Sequence, residues 1–563
     1  MTVIPRRTTV VGLVLLVSVV GAWGPVTPAS GQAPGPPNIL VIMTDDQRAT
    51  ETLDVMPKTL QWFGQGGTLF SDAYAGTPLC CPARAAIMTG RFNHNNGVLD
   101  NGDQARLDHQ STIQRYLRER GYLTAMAGKF LNGWPLQQNP PHFDRWALMH
   151  GSYYDADFNV NGTVHSVPRY STDFVAERAT GWIDGFFEAN DARPWYLYVT
   201  PFAPHGPWIA EGGHPSDDDD YRNVDVGPWA GNPAVLETDE GDKPEYVRND
   251  DQTMQEGQSN RQGQLRSLLS VDDMVDDVFR ALEARGEQNT LAFYVSDNGF
   301  FWSEHGLDGK NQPYTQSIRV PLLARWPGHI AGGATDVRPV ANVDIVATIM
   351  AAVGFGPDAQ YPIDGRSILD PAARRKMLTE SWPLGSRGPW ASTRTPSYQY
   401  VEYYDDTSGA TDFREYYDLA ADPWQLTNLY ADGNPRNDPW IESLSEELAG
   451  LRTCVGDTCR TRLDEPAIPL RCPGATRRDG HHLVGSDRRD VIAGHPWRDV
   501  ICGRGGRDTI RAGGARDRLI GHLGPDKLFG GPGRDVLDGK GGRDVCVGGP
   551  GPDLFRHCEV ERG

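Results

Sequence analysis

After Ala33 the chain contains no apolar run long enough to span a bilayer, which excludes a membrane-spanning helix over that portion. Positive charge is in deficit: 54 Lys and Arg face 74 Asp and Glu, for a net charge of -20. A protein that grips nucleic acid or an anionic membrane through bulk charge presents a basic face, so that class of partner is disfavoured. Cysteine is sparse, with 8 in 563 residues, and none follows the N-terminal segment where a lipid could be attached. Core material is not lacking: 39% hydrophobic and 9% aromatic side chains exclude global disorder and suffice for two or three domains.

Residues 1–33 read as a signal peptide. Arg6 and Arg7 precede the apolar run Val10 to Val20, and small and Pro-rich residues continue through Ala29, Ser30, Gly31 and Ala33. An uncleaved anchor is the alternative, disfavoured because the run is short for a membrane span. The expectation is a secreted, extracellular protein, and the cysteines fit an oxidising compartment. Cys454 and Cys459 are close enough for a local disulfide, and Cys472, Cys502, Cys546 and Cys558 can pair within the tail, with connectivity left open. Cys80 and Cys81 stand apart, since adjacent cysteines seldom bridge each other.

Composition changes near Arg471. The last 93 residues carry 17 Lys and Arg against 13 Asp and Glu, together with 21 of the 64 glycines. That shift marks a boundary and leaves the negative charge on residues 1–470.

The body alternates strands and helices. Asn38 to Met43 is a short, continuous apolar run, as expected of a strand buried on both faces, and it ends in Asp45-Asp46. Ser111 to Gly121 reads as a capped helix, followed by the strand Tyr122 to Met126 and then Lys129. Another helix opens near Ser171, and the strand Trp195 to Val199 runs out to Pro204-His205. Helical spacing starts at Leu265 and stops at Gly286, and the strand Leu291 to Val295 ends in Asp297-Asn298. Such alternation predicts an α/β fold with a mostly parallel sheet. The polar residues follow strand C-termini, the edge where open α/β sheets bind ligands, so Asp45, Asp46, Lys129, His205, Asp297 and Asn298 are expected to converge.

The segment Leu79-Cys80-Cys81-Pro82-Ala83-Arg84, continuing through Ala85 to Met88 into Thr89-Gly90-Arg91, places a cysteine at a helix start. Pro82 suits the first turn and the following residues are mostly helix formers. Backbone N–H groups there favour an anion, and Arg84 adds a fixed cation. The run resembles the signature of type I sulfatases, Cys-x-Pro-x-Arg followed by Thr-Gly-Arg. Only Cys80 has Pro at +2 and Arg at +4. The resemblance implies that Cys80 is oxidised to formylglycine by a formylglycine-generating enzyme and that its hydrate is the nucleophile. It also implies an alkaline-phosphatase-like sheet flanked by helices over residues 34–345 and a smaller α+β subdomain over 346–470; the appended β-roll expected over 471–563 rests on a repeat of its own.

Asp45, Asp46, Asp297 and Asn298 form an all-oxygen set suited to Ca²⁺ or Mg²⁺. By resemblance they hold one divalent ion, usually Ca²⁺, that also meets residue 80. Lys129, His205 in Pro204-His205-Gly206-Pro207 and Lys310 in Glu304-His305-Gly306-Leu307-x-Gly309-Lys310 look like the family's sulfate-binding and proton-transfer residues, with His305 behind them. In the implied mechanism one hydroxyl of the hydrate attacks sulfur, His205 and Lys310 help protonate the departing alcohol, and Lys129 and Arg84 hold the hydrate. Many sulfatases have a His shortly after the lysine, where this chain reads Lys129-Phe130-Leu131-Asn132. That wording, the double Cys, Asn93-His94-Asn95-Asn96 and the Cys454–Cys459 loop look most like the N-acetylglucosamine-6-sulfatase and extracellular endosulfatase branch. A sulfated carbohydrate, specifically a sulfated amino sugar, is the implied substrate. Residues near 206 to 262, including Asp217 to Asp220, form either a substrate-shaping loop or a solvated insertion. A phosphate or phosphonate monoester hydrolase on the same scaffold and a non-catalytic calcium-dependent adhesion protein are the alternatives.

From Gly485 the tail repeats every nine residues, with Asp490, Asp499, Asp508, Asp517, Asp526, Asp535, Asp544 and Asp553 in phase and Ile492, Ile501, Ile510, Leu519, Leu528, Leu537, Cys546 and Phe555 two places on. This resembles the haemolysin-type parallel β-roll, whose loop carboxylates bind Ca²⁺. Calcium is expected in the later, glycine-complete units, at Asp517, Asp526, Asp535, Asp544 and Asp553. The early units depart from the pattern, with Trp497 where Gly506 stands one unit later. Arg498, Arg507, Arg534 and Arg543 offer the carboxylates an alternative partner.

Overall fold

The computed structural model describes residues 35–188, 193–208, 221–372, 374–383, 388–433, 441–467, 472 and 480–563. The leader and Asp217 to Asp220 lie outside the described residues. Among those described, no helix is long and apolar enough to cross a membrane.

A ten-stranded sheet forms the centre. Its strands are β1 (Asn38–Thr44), β2 (Thr68–Phe70), β3 (Leu123–Lys129), β4 (Arg145–Met149), β5 (Ala156–Val160), β6 (Thr163–Val167), β7 (Trp195–Thr200), β8 (Thr290–Ser296), β9 (Leu322–Arg325) and β10 (Ala334–Asp336). Their spatial order is β10-β2-β9-β8-β1-β7-β3-β4-β5-β6. The middle is parallel: β1 lies between β7 and β8, and β3 between β7 and β4. Both flanks are mixed, with β9 antiparallel to β8 and β2, and with β5 and β6 forming antiparallel additions.

Alternation along β1 sends side chains to opposite faces. Ile39, Val41 and Met43 pack with Ala85, Ile87 and Met88 of helix α1 (Cys80–Thr89) and Ile113 and Leu117 of α2 (Ile113–Glu119). Leu40 and Ile42 pack on the other face with Val175 and Ile183 of α3 (Ser171–Glu188) and Leu268, Val271, Val275 and Val278 of α4 (Met254–Ala284). With both faces covered, ligands can reach the sheet only at strand ends.

Two helices differ from their predicted limits. Helix α2 is shorter than Ser111 to Gly121, because residues His109–Ser111 form a separate 3₁₀ turn in which the Ser111 hydroxyl donates to the Asp108 carbonyl. Helix α4 starts well before Leu265, at a capping box in which Thr253 and Glu256 satisfy each other. Its first turns carry few apolar residues, so periodicity does not reveal them. Their buried residues are polar and pack near the site.

Beyond α5 (Asp344–Val353) a four-stranded antiparallel sheet, β11 (Met377–Ser381), β12 (Trp390–Arg394), β13 (Tyr398–Tyr404) and β14 (Thr411–Asp418), pairs in chain order. Helices α6 (Ile441–Leu451) and α7 (Asp457–Asp464) follow, joined across their loop by the Cys454–Cys459 disulfide.

The tail consists of two five-stranded parallel sheets whose strands pair with partners 18 residues on, such as Ile501 with Leu519 and Ile510 with Leu528. Alternate nonapeptides therefore belong to opposite sheets. Ile492, Ile501, Ile510, Leu519, Leu528, Leu537 and Cys546 fill the space between them. Disulfides Cys472–Cys502 and Cys546–Cys558 complete the pairing. Outward-facing Val484, Val500 and Ile520 share an apolar cluster with Leu444, Leu448 and Leu451 of α6.

Candidate functional site

Ends of the parallel strands supply the pocket. β1 delivers Asp45 and Asp46, the latter with φ of 70°, and β8 delivers Asp297 and Asn298. The two exits are tied together: the Asp46 N–H donates to Asp297 Oδ1 at 3.0 Å, and the Asp297 N–H donates to the Thr44 carbonyl at 3.1 Å. Lys129 is the last residue of β3. Just before it, Gly128 has φ of 116°, and a Cβ there would lie 1.9 Å from the Thr200 carbonyl of β7, so the close approach of β3 and β7 requires glycine. His205 follows β7, and Lys310 follows the small hairpin 301–309.

Cys80 is the first residue of α1, which ends at Gly90 in the left-handed conformation. Lys310 Nζ donates to Cys80 Sγ at 2.9 Å and also pairs with Asp46 Oδ1. Cys81 is held elsewhere: its N–H donates to Asn101 Oδ1 at 2.9 Å, and its thiol meets the backbone of Asn132. Burial pushes the Cys80 thiol far above its ordinary range, outweighing Lys129 and Lys310, while Asp45 and Asp46 raise it further.

Three carboxylates meet three fixed cations in this pocket. Arg84, fully buried, donates from Nε to Asp297 Oδ2 at 2.9 Å, lies 3.4 Å from Asp45 Oδ2, and donates to the Lys129 carbonyl at 2.8 Å. Lys129 Nζ is 2.5 Å from Asp45 Oδ2. Burial alone would raise the Asp45 pKa, but Lys129, Arg84, His205 and Lys310 hold it well below the ordinary carboxylate range. Asp297 is pushed up to about 6, by burial first and then by Asp45, against the pull of Arg84. His205, partly exposed at the mouth, has Nε2 3.5 Å from Asp46 Oδ2.

The structure thus brings together Cys80, Arg84, Lys129, His205 and Lys310. Ligand atoms of Asp45, Asp46, Cys80 and His205 all lie within 4.8 Å of one another. Asp45 Oδ1 and Asn298 Oδ1 are buried without a hydrogen-bond partner, which fits a hard divalent cation seated beside them. Asp297 accepts from Arg84 and from the N–H groups of Asp46 and Asn298, as Asp46 Oδ1 accepts from Lys310 and Asn298. His205, predicted for proton transfer, stands in the converging group as well.

Gln264, Arg48 and Trp302 were not found from motifs. Gln264 of α4 donates to the Asp46 carbonyl at 2.8 Å and accepts from Trp302 Nε1 at 2.8 Å. Its only sequence mark is a polar residue on the apolar stripe of a helix. Arg48 pairs with Glu304 at 2.8 Å and lies 4.1 Å over the Trp302 ring, joining the β1 exit to the hairpin before Lys310. Glu304 also accepts from Asn232, and His305 Nδ1 sits 2.6 Å from Glu237. Asn232 and Glu237, within the described part of the 206–262 segment, therefore brace the lysine hairpin. The Asn93–Asn96 motif turns away to clamp the C-terminal subdomain, with His94 bridging Glu380 and the Cys454 carbonyl.

In the tail, Asp490, Asp499, Asp508, Asp517 and Asp526 each donate a backbone N–H to a carboxylate oxygen of the aspartate 18 residues later. The second oxygens of Asp508, Asp517, Asp526, Asp535, Asp544 and Asp553 are buried and unpartnered. Burial, followed by the neighbouring carboxylates, pushes Asp508 up to about 8, Asp517 to about 7 and Asp526 to about 6. No ion pair joins Arg498, Arg507, Arg534 or Arg543 to these aspartates among the described residues.

The Sulfatase family profile matches residues 37–355, and the RTX calcium-binding nonapeptide repeat profile matches residues 498–528 and 520–555. The N-acetylglucosamine-6-sulfatase of Capra hircus is 29% identical over 531 residues, covering 81% of this chain and 92% of the relative. The extracellular sulfatase SULF-1 homolog of Drosophila melanogaster is 32% identical over 372 residues, covering 62% of this chain and 32% of the relative. In fold, a protein solved in complex with its substrate D-glucosamine-2-N,6-O-disulfate superposes with a TM-score of 0.63 at 23% identity, covering 77% of this chain and 100% of that one.

Proposed function

The chain belongs to the sulfatase family, whose members hydrolyse sulfate esters, and on that premise we propose that its substrates are sulfated amino sugars such as N-acetylglucosamine 6-sulfate and that the reaction runs through formylglycine at residue 80. Likeness to the goat N-acetylglucosamine-6-sulfatase over most of both chains supports the substrate class. The observation that carries the residue assignment is the setting of Cys80: a helix N-terminus, with Lys310 Nζ 2.9 Å from Sγ and Arg84 and Lys129 fixed around it. The side chain at this position faces fixed positive charge from several directions, as attack on an anionic ester requires.

Asp45, Asp46, Asp297, Asn298 and residue 80 would hold a divalent ion, with Arg84 bracing them. When bound, that ion supplies charge that polarises the sulfate and offsets the carboxylates. Arg84 and Lys129 orient residue 80 and balance the charge of its hydrated form. Carboxylates keep Lys310 an ammonium despite its burial, so it can hold a hydrogen bond to the ester oxygen. His205 at the mouth is placed to protonate the departing alcohol. Ca²⁺ in the tail, held along the aspartate row, is supported by the unpartnered buried oxygens. An apolar leader and three disulfides support export to the extracellular space.

Peptide mass across Cys80, in protein made with a formylglycine-generating enzyme, is expected to show the aldehyde residue; an unmodified thiol in fully active protein would refute the nucleophile assignment. Paired assays on N-acetylglucosamine 6-sulfate and 6-phosphate test the substrate. Sulfate release is expected to dominate, and faster phosphate release would favour the phosphomonoester reading.

A further inference from the structure

The β-roll begins with a side-chain set unlike the rest of its array. In the turn row that contains Asp499, Asp517, Asp535 and Asp553, the next position back by 18 residues is His481, which faces Asp499 as its partner on the neighbouring parallel strand. In the same row Gly513, Gly531 and Gly549 stand at the second position of each unit, and the next position back is His495. Two imidazoles have thus replaced an aspartate and a glycine at adjacent rungs, and both reach one carboxylate.

His481 Nδ1 lies 3.3 Å from Asp499 Oδ1, and His495 Nδ1 lies 3.4 Å from Asp499 Oδ2. The donor atoms of all three residues are within 4.8 Å of one another. Asp499 is fully buried, as is His481, while the His495 side chain is 31% exposed and opens the cluster to solvent. The frame around the ligands is rigid. The His495 N–H donates to Asp499 Oδ2 at 2.6 Å, and its ring stacks flat on Trp497 at 4.8 Å and 4°. Gly494, next to it, leaves no room for a side chain beneath the Ala512 carbonyl. His495 Nδ1 is buried and makes no hydrogen bond.

We propose that His481, His495 and Asp499 bind one divalent transition ion, with zinc as the fitting class, and that this ion closes the first rungs of the roll. Calcium prefers oxygen donors in larger number, whereas two imidazole nitrogens and a carboxylate suit a borderline ion of low coordination number. Among the described residues His481–Val484 is the first strand of its sheet, and a metal joining it to Asp499 and the Gly494–Trp497 turn would tie it to the next rung.

Zinc titration of the full-length protein with calcium in excess, compared with His495→Ala, tests this. The unaltered protein is expected to take up one more zinc per chain than the variant, or to bind it at least about tenfold more tightly. The variant should keep its sulfatase activity and its response to calcium. Identical isotherms for the two proteins would overturn the site. If His495→Ala disturbs the roll, the cobalt spectrum of a His205→Ala protein decides, because the pocket then contributes no imidazole. Nitrogen ligation supports the proposal, and an oxygen-only spectrum overturns it.

Discussion

Both the pocket and the repeat tail bury aspartates, but only the pocket surrounds them with protein cations. Arg84, Lys129 and Lys310 hold the pocket carboxylates in place, and Asp45 is driven below its ordinary range. The tail stacks Asp508, Asp517 and Asp526 with no ion pair to any of them among the described residues, and their pKa values rise. The first arrangement is compensated within the chain at Asp45, though not at Asp297, and the second leaves its compensation to a proton or a metal ion.

Deleting a cation from the pocket should make it resemble the tail. Arg84→Leu leaves Asp45 and Asp297 without their shared partner, and a loss of about 3–5 kcal/mol is expected in chemical denaturation without added metal. A loss near zero would mean that the pocket does not depend on Arg84.

Removing metal from the tail should expose the opposite pH dependence. Raised carboxyls bind protons in the folded state that the unfolded chain releases, so the metal-free roll is most stable below the ordinary carboxylate range and weakens as pH rises through about 6 to 8. Hydrogen-exchange protection factors over residues 480–563, with the intrinsic base-catalysed rise divided out, are expected to fall across that window in chelator, and calcium should restore them. Protection that is flat with pH would show that the carboxylate row is not under strain.

Asp517→Asn sharpens the same contrast on a smaller scale. Without metal at neutral pH it removes a buried like charge and should stabilise the roll by about 1 kcal/mol, while the calcium-induced rise in melting temperature shrinks. The smallest effect belongs to Cys81→Ala: activity should match the unaltered protein, with a stability loss of about 1 kcal/mol from the lost sulfur. Loss of activity comparable to that of Cys80→Ala would break the distinction between the two cysteines.

Asp45, Asp46, Lys129, His205 and Asp297 are legible from sequence because each follows an apolar run too short for anything but a buried strand, and parallel topology brings such ends together. Cys80 is legible from the Pro and Arg that follow it. The roll is legible because one side chain must repeat at every turn. Gln264, Trp302 and Arg48 act through contacts between elements far apart in sequence, so no local pattern carries them. The antiparallel flanks of the sheet and the early start of α4 escaped for a related reason: edge strands and polar helix turns lack the continuous apolar signal of the centre. His481 and His495 were hidden because they interrupt the repeat that revealed the tail.

The apolar seam between the roll and α6 has a practical consequence for anyone trimming this protein. Val484, Val500 and Ile520 are covered by Leu444, Leu448 and Leu451, and Cys502 is tied to Cys472 ahead of the roll. A chain cut before residue 480 would carry a bare greasy face and an unpaired thiol beside it. It should self-associate and need detergent or a substitute surface to stay in solution, however intact its pocket.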